Sequence, residues 1–176
     1  MSILADSNVK PEHITHLHGD ELVAKNHPII AFRCEMDTLI AMLAEAGSVC
    51  AVSSRVELHD EISEIIAFAQ QILRCEVIGE AFAIDNLAGH MLDEYREMSH
   101  NTRKYFGFDH PTPCPDMGIA ALRLNTIRMQ VRRAELAAVN AFLHDDELER
   151  TDIVAALNRL SSVVYVLFCK ELADIK

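Results

Sequence analysis

The sequence predicts an all-α protein, an antiparallel bundle of four to five helices. Three observations predict it. Gly (6) and Pro (5) are scarce in 176 residues of which 50% are apolar, so breakers are few and burial is not limiting. Apolar residues recur at spacings of three and four over long stretches. No segment shows strand-like alternation and no internal repeat stands out, so the long helices have only each other to cover their apolar faces.

Residues 1–27 read as an irregular polar segment and 28–176 as the bundle. In "PIIAFRCEMDTLIAMLAEAG", Pro28 suits the first helical position and Gly47 a stop, with Ile29, Phe32, Met36, Leu39, Ile40 and Leu43 on one face. "SRVE" (54–57) has the pattern of a capping box. The period that follows runs through Leu58, Ile62, Ile65, Ile72, Val77, Phe82, Leu87 and Tyr95 to about residue 100. It predicts one very long helix, with two helices kinked near Gly79 as the alternative. "FGFDHPTPCPDMG" (106–118) carries three prolines in five residues and breaks the chain. A further helix spans about 118–143, "HDDELERTD" is a short acidic link or opening turn, and the last helix covers 151–172.

The formal net charge of −11 disfavours polyanionic partners, so neither nucleic acid nor an anionic membrane is expected. No 18-residue apolar run escapes charge, and "MSILADSNVKPEH" has no secretory pattern. The five cysteines, at 34, 50, 75, 114 and 169, are odd in number and contain no CxxC. They read as reduced thiols of a cytoplasmic protein, with Cys75 and Cys169 in the core.

Against this acidic background "LNTIRMQVRRAEL" (124–136) gathers three arginines. Arg128, Arg132 and Glu135 fall within an arc of roughly 60° on a helix. Asn158, Ser162 and Tyr165 repeat the spacing on the last helix. Two arginines on one face can hold phosphate oxygens bidentately, Glu135 can orient them or accept from a ribose hydroxyl, and Lys25 can add a point charge. A solvated face is the competing reading of the stripe, and an exposed i,i+4 ion pair that of Arg33 and Asp37. His13, His16 and His18 in "HITHLHGD" are potential metal ligands, but the short segment favours solvated or substrate-contacting roles, and no metal site is assigned. There is no Walker loop, GxGxxG or HExxH.

Four blocks, in order, carry a resemblance: "THLHGDELVAKNHPIIAFRCEMDTLIA" (15–41), "LRCEVIGEAFA" (73–83), "LNTIRMQVRRAELAAVNAF" (124–142) and "ALNRLSSVVYVL" (156–167). Together they resemble the catalytic domain of ethanolamine-utilisation cobalamin adenosyltransferases, and two of them the propanediol-type enzymes. The resemblance implies a homotrimer with sites between subunits. It implies transfer of the 5′-deoxyadenosyl group of ATP to the cobalt of a reduced corrinoid, with Mg²⁺, yielding adenosylcobalamin. It implies a reductase and ethanolamine ammonia-lyase as partners, in the cytoplasm or at a bacterial microcompartment. By position, Lys25 matches a lysine on ATP phosphates. Asp37 matches an aspartate that pairs across the interface, with Arg128 as its partner. Arg132 and Glu135 match ATP-binding positions, Asn158 matches the asparagine of the last helix, and His18 lies in the segment matching the ATP loop. Arg128, Arg132 and Asp37 are the catalytic candidates, and Arg133 a structural one. Ile29 stands where an arginine is common, Cys34 where glycine is usual, and Ser162 where the propanediol branch has an aspartate. The histidine and cysteine-rich metal motif of the full-length ethanolamine-type enzymes is not in these residues. These departures keep open a non-catalytic corrinoid- or nucleotide-binding protein of the same fold.

Overall fold

Pro28 opens the first long helix of the computed structural model, which describes residues 10–53 and 55–174. Helix α1 (Pro28–Val52) is capped by His27, whose Nδ1 accepts from the Ile29 N–H at 3.3 Å. It does not stop at Gly47. That glycine is buried inside the helix, where a Cβ would stand 3.3 Å from Ile62 Cγ2. Its missing side chain admits the neighbouring helix, so close packing and not termination explains it. Helix α2 (Val56–Ile78) follows without a side-chain cap from Arg55. Ser54, on which the capping-box expectation rests, lies outside the described residues.

The single helix expected from 56 to 100 is two. Gly79 ends α2 in the left-handed region at φ 71°, a conformation that favours glycine and closes helix C-termini. The chain is then caught from a distance. The Phe82 N–H donates to Asp152 Oδ2 at 2.8 Å, Arg150 Nη2 donates to the Glu80 carbonyl at 2.9 Å, and the Phe82 ring meets Phe68 edge-on at 5.0 Å. Two short strands, β3 (Asn86–Leu87) and β4 (His90–Met91), lead into α3 (Leu92–His100) and α4 (Thr102–Phe106).

After the proline-rich loop, α5 (Ile119–Phe142) and α6 (Thr151–Ala173) complete the bundle, joined by the tiny hairpin Leu143–His144 and Glu147–Leu148. The helices α1, α2, α5 and α6 are the long ones. In space α1 lies between α2 and α5, α5 between α1 and α6, and α3 packs on α6. Met36, Leu39, Ile65, Ile72, Leu124, Ile127, Val131, Leu157, Leu160 and Val164 are sealed between them. Helix α6 is long and apolar enough to cross a bilayer, but most of that stretch is buried here as the central core helix. All five cysteines are free, with Cys50, Cys75 and Cys169 buried.

The segment read as irregular holds an antiparallel hairpin, β1 (Ile14–His16) and β2 (Leu22–Ala24). Two-residue strands elsewhere and three-residue strands here are too short to show alternation in the sequence. The hairpin is docked by Arg33. That residue does not pair with Asp37. It grips Glu76 of α2 through Nε at 2.7 Å and Nη2 at 3.0 Å, and Nη1 donates to the Leu17 carbonyl at 2.9 Å. Glu76 is only 3% exposed, and a buried carboxylate demands a close cation.

Candidate functional site

An open cleft of about 660 Å³ lies between α3, α5 and α6, with the start of the proline-rich loop along one rim. Its α5 wall is Arg128, Arg132 and Glu135, one side of the helix at the expected spacing. Its α6 wall carries Asn158, Ser162 and Tyr165, so the two stripes read from the sequence face a common space. The opposite side of α5 explains the orientation. Gln130 Nε2 donates to Glu35 Oε2 at 2.6 Å and to the Glu35 carbonyl, and Arg133 Nη2 donates to Glu35 Oε1 at 2.8 Å. With that side held against α1, positions 128, 132 and 135 turn away from it.

The guanidinium of Arg128 sits over the Tyr165 ring, 4.6 Å from its centre. Burial, and then the like charge of Arg132, lowers its pKa from the ordinary arginine value, yet the group stays cationic. Burial, and then Cys169, pushes the Tyr165 hydroxyl up to about 12, so it is a neutral hydrogen-bonding group. It lies 2.8 Å from His110 Nδ1, tying the proline-rich loop to the cleft. Glu135 Oε1 accepts from Asn158 Nδ2 at 2.8 Å, and Asn158 Oδ1 accepts from Arg159 Nη1 at 3.0 Å. Asn158 is exposed, and its arginine partner is its neighbour and not the α5 stripe.

Pairing of the arginines separates this cleft from the rest of the surface. Arg33, Arg55, Arg74, Arg103, Arg123, Arg133, Arg150 and Arg159 each meet a carboxylate. The remaining three, Arg96, Arg128 and Arg132, have no carboxylate partner among the described residues, and all three line the cleft. Among the described residues Glu135 is its sole acidic side chain. In a chain with 27 acids and 16 bases, cations left unpaired together make a site for an anion with several charges. Arg96, His100 and His110 were not singled out in the sequence. The only signal for the first two is their i,i+4 spacing on a helix whose separate existence was itself concealed.

The other candidates lie elsewhere in the subunit. Lys25 is exposed after β2. His18 Nε2 lies 3.2 Å from Arg33 Nη2 and 3.3 Å from Glu76 Oε1. Asp37 is exposed on the far side of α1 from Glu35, about 160° around at 100° per residue. Within one subunit, then, Asp37 and Arg128 point away from each other, with α1 and α5 between them. Among the described residues no three His, Cys, Asp or Glu side chains come together as a metal-ligand set.

The family model described as cobalamin adenosyltransferase matches residues 7–171. The chain is 34% identical over 169 residues to the corrinoid adenosyltransferase EutT of Salmonella typhimurium, covering 93% of this chain and 60% of that one. It is 33% identical over 163 residues to EutT of Escherichia coli, covering 90% and 58%. The chain thus spans about 60% of the length of the curated relatives it matches. No solved structure gives a significant match.

Proposed function

Because the chain belongs to the cobalamin adenosyltransferase family, we propose that its arginine-lined cleft binds the triphosphate of ATP and that the protein adenosylates a reduced corrinoid. The observation that carries this reading is the convergence on one cleft of three arginines without a carboxylate partner among the described residues, two of them within the block 124–142. In the reaction the cobalt(I) of the corrinoid substrate attacks the ribose 5′ carbon of ATP. A cobalt–carbon bond forms, the carbon–oxygen bond breaks, and the electron pair leaves with triphosphate. The nucleophile comes with the substrate, so the protein supplies no base. Its work is to hold the leaving group, neutralise the charge that develops on it and align the attack.

Arg132, exposed and without a carboxylate, is placed to take phosphate oxygens. Arg128, seated on Tyr165, presents its charge from a fixed position. Glu135, oriented by Asn158, is the acceptor for a ribose hydroxyl. A divalent cation such as Mg²⁺ fits as one carried by phosphate oxygens and water, with Glu135 as the only carboxylate among the described residues lining the cleft. Mg²⁺ binds in this manner, with few protein ligands.

Lys25, His18 and Asp37 belong to a second surface, around the hairpin and the outer side of α1. We assign them to the same site across a subunit interface, Asp37 pairing with Arg128 of a neighbour in a homotrimer. Each surface of the subunit then supplies half of a site. The product is adenosylcobalamin, made in the cytoplasm or at a microcompartment for ethanolamine ammonia-lyase, with a reductase supplying the reduced corrinoid.

The test is an anaerobic spectroscopic assay with cob(I)alamin, ATP and Mg²⁺. Wild-type protein forms adenosylcobalamin, and Arg132→Ala abolishes formation with the helical circular dichroism unchanged. Full activity of the variant removes Arg132 from the site. Corrinoid binding without turnover by the wild type favours a carrier of the same fold, the reading that the departures at Ile29 and Cys34 support.

A further inference from the structure

We propose that Arg96 and His100, on the α3 wall of the cleft, form a second phosphate subsite facing the α5 arginines and select which phosphorylated substrate the cleft holds. The two side chains are one turn apart on α3 and both line the cleft, so they present donors to the same space. Neither has a hydrogen-bond or ion-pair partner among the described residues. Two basic groups at this spacing gain little from each other, and an anion between them removes the conflict.

The helix that carries them is held rigidly from behind. Tyr95 is fully buried and its hydroxyl donates to the Ala88 carbonyl at 3.1 Å. Arg159 Nε donates to Asp93 Oδ1 at 2.8 Å, and Leu92 is buried. The α3 pair therefore approaches the cleft from a fixed wall, across from Arg128 and Arg132. Within one subunit, three guanidiniums against one carboxylate leave the cleft with surplus positive charge, more than a phosphodiester's single negative charge requires. The shared chemistry is phosphate. It has two sources, the triphosphate of the nucleotide and the phosphodiester of a corrinoid's nucleotide loop. Only this choice of sources rests on the function proposed above.

The experiment is isothermal titration of the full chain with inorganic tripolyphosphate, ATP, cobalamin and cobinamide, which lacks the phosphodiester. Both positions are exposed, so an Arg96→Ala/His100→Ala double variant keeps the core. Its expected result is a tenfold or greater loss of tripolyphosphate affinity. Arg96→Lys falls between, since an ammonium keeps the charge and loses the fork. ATP affinity falling in parallel assigns the subsite to the nucleotide. Cobalamin affinity falling in parallel, with cobinamide unchanged, assigns it to the corrinoid. Unchanged tripolyphosphate affinity in a double variant with wild-type circular dichroism and urea midpoint overturns the subsite. Loss of tripolyphosphate binding in a protein whose wild type makes no adenosylcobalamin supports the subsite while removing the proposed reaction, so the two fail separately.

Discussion

Arg128 rests its guanidinium on the face of Tyr165, 4.6 Å from the ring centre. The ring serves as a platform that fixes a cation which has no carboxylate of its own among the described residues. A cation–π contact of this kind contributes about 0.5–2 kcal/mol. Tyr165→Leu is therefore expected to weaken ATP binding by roughly two- to thirtyfold. Tyr165→Phe keeps the ring, loses the hydroxyl's links to His110 and Cys169, and stays within about twofold of wild type. Isothermal titration checks the order. Equal losses in both variants would assign the effect to the hydroxyl.

Glu135 is the sole acid among the described cleft-lining residues and is oriented by Asn158. Glu135→Gln keeps an oxygen for the Asn158 amide but removes the charge. Tripolyphosphate then binds about three- to tenfold more tightly, as expected for about 1 kcal/mol of relieved repulsion in a wet site. Adenosylation is expected to slow, because the proposed ribose acceptor is lost. Tripolyphosphate titration and the cob(I)alamin assay on the same preparation read the two effects. Weaker tripolyphosphate binding would contradict this placement of the carboxylate.

The Arg33–Glu76 pair holds hairpin, α1 and α2 together. Glu76→Ala leaves a half-buried guanidinium without its partner, and such losses cost about 3–5 kcal/mol. The urea midpoint should fall accordingly, and limited proteolysis should cut first in the 17–20 turn. An unchanged midpoint would show that the pair contributes nothing net.

Asp152 sets an acid limit on stability. Burial alone would raise its carboxyl pKa. Hydrogen bonds from Arg150, the Phe82 N–H and the Ile153 N–H together outweigh burial, and the net shift is downward. A carboxyl lowered in the fold stabilises it fully above the unfolded value, about 3.9 for aspartate. That contribution is lost as pH falls through the folded value. Urea midpoints measured from pH 6 downward should fall in wild type below about 4, and Asp152→Asn should be lower at pH 6 with a flatter acid limb. Parallel curves would remove Asp152 from the acid transition.

The half of the cleft built on α5 and α6 was legible because 128, 132 and 135, and 158, 162 and 165, obey the helical period on elements whose boundaries were correctly placed. The α3 half was concealed by a non-local cause. Phe82, Ile84 and Leu87 continue the apolar period of α2. The chain leaves the helix there because Gly79 turns it and a carboxylate 70 residues onward, Asp152, holds the Phe82 N–H. With α3 merged into α2, Arg96 and His100 had no face of their own. Arg33 illustrates the same limit, since local spacing offered Asp37 and the fold supplied Glu76, 43 residues away. Gly47 reads as a terminator in one dimension and becomes a contact point with Ile62 in three.

The opposed directions of Asp37 and Arg128 carry a genetic consequence. In the head-to-tail ring proposed above, one subunit's hairpin side meets the next subunit's α5 side, and every site has two parents. A chain crippled at Lys25 would keep a sound arginine wall, and a chain crippled at Arg132 a sound hairpin. Neither is expected to support adenosylation alone. Co-expressed, they are expected to assemble rings in which some junctions join the two intact halves, with part of the activity returning by complementation between alleles.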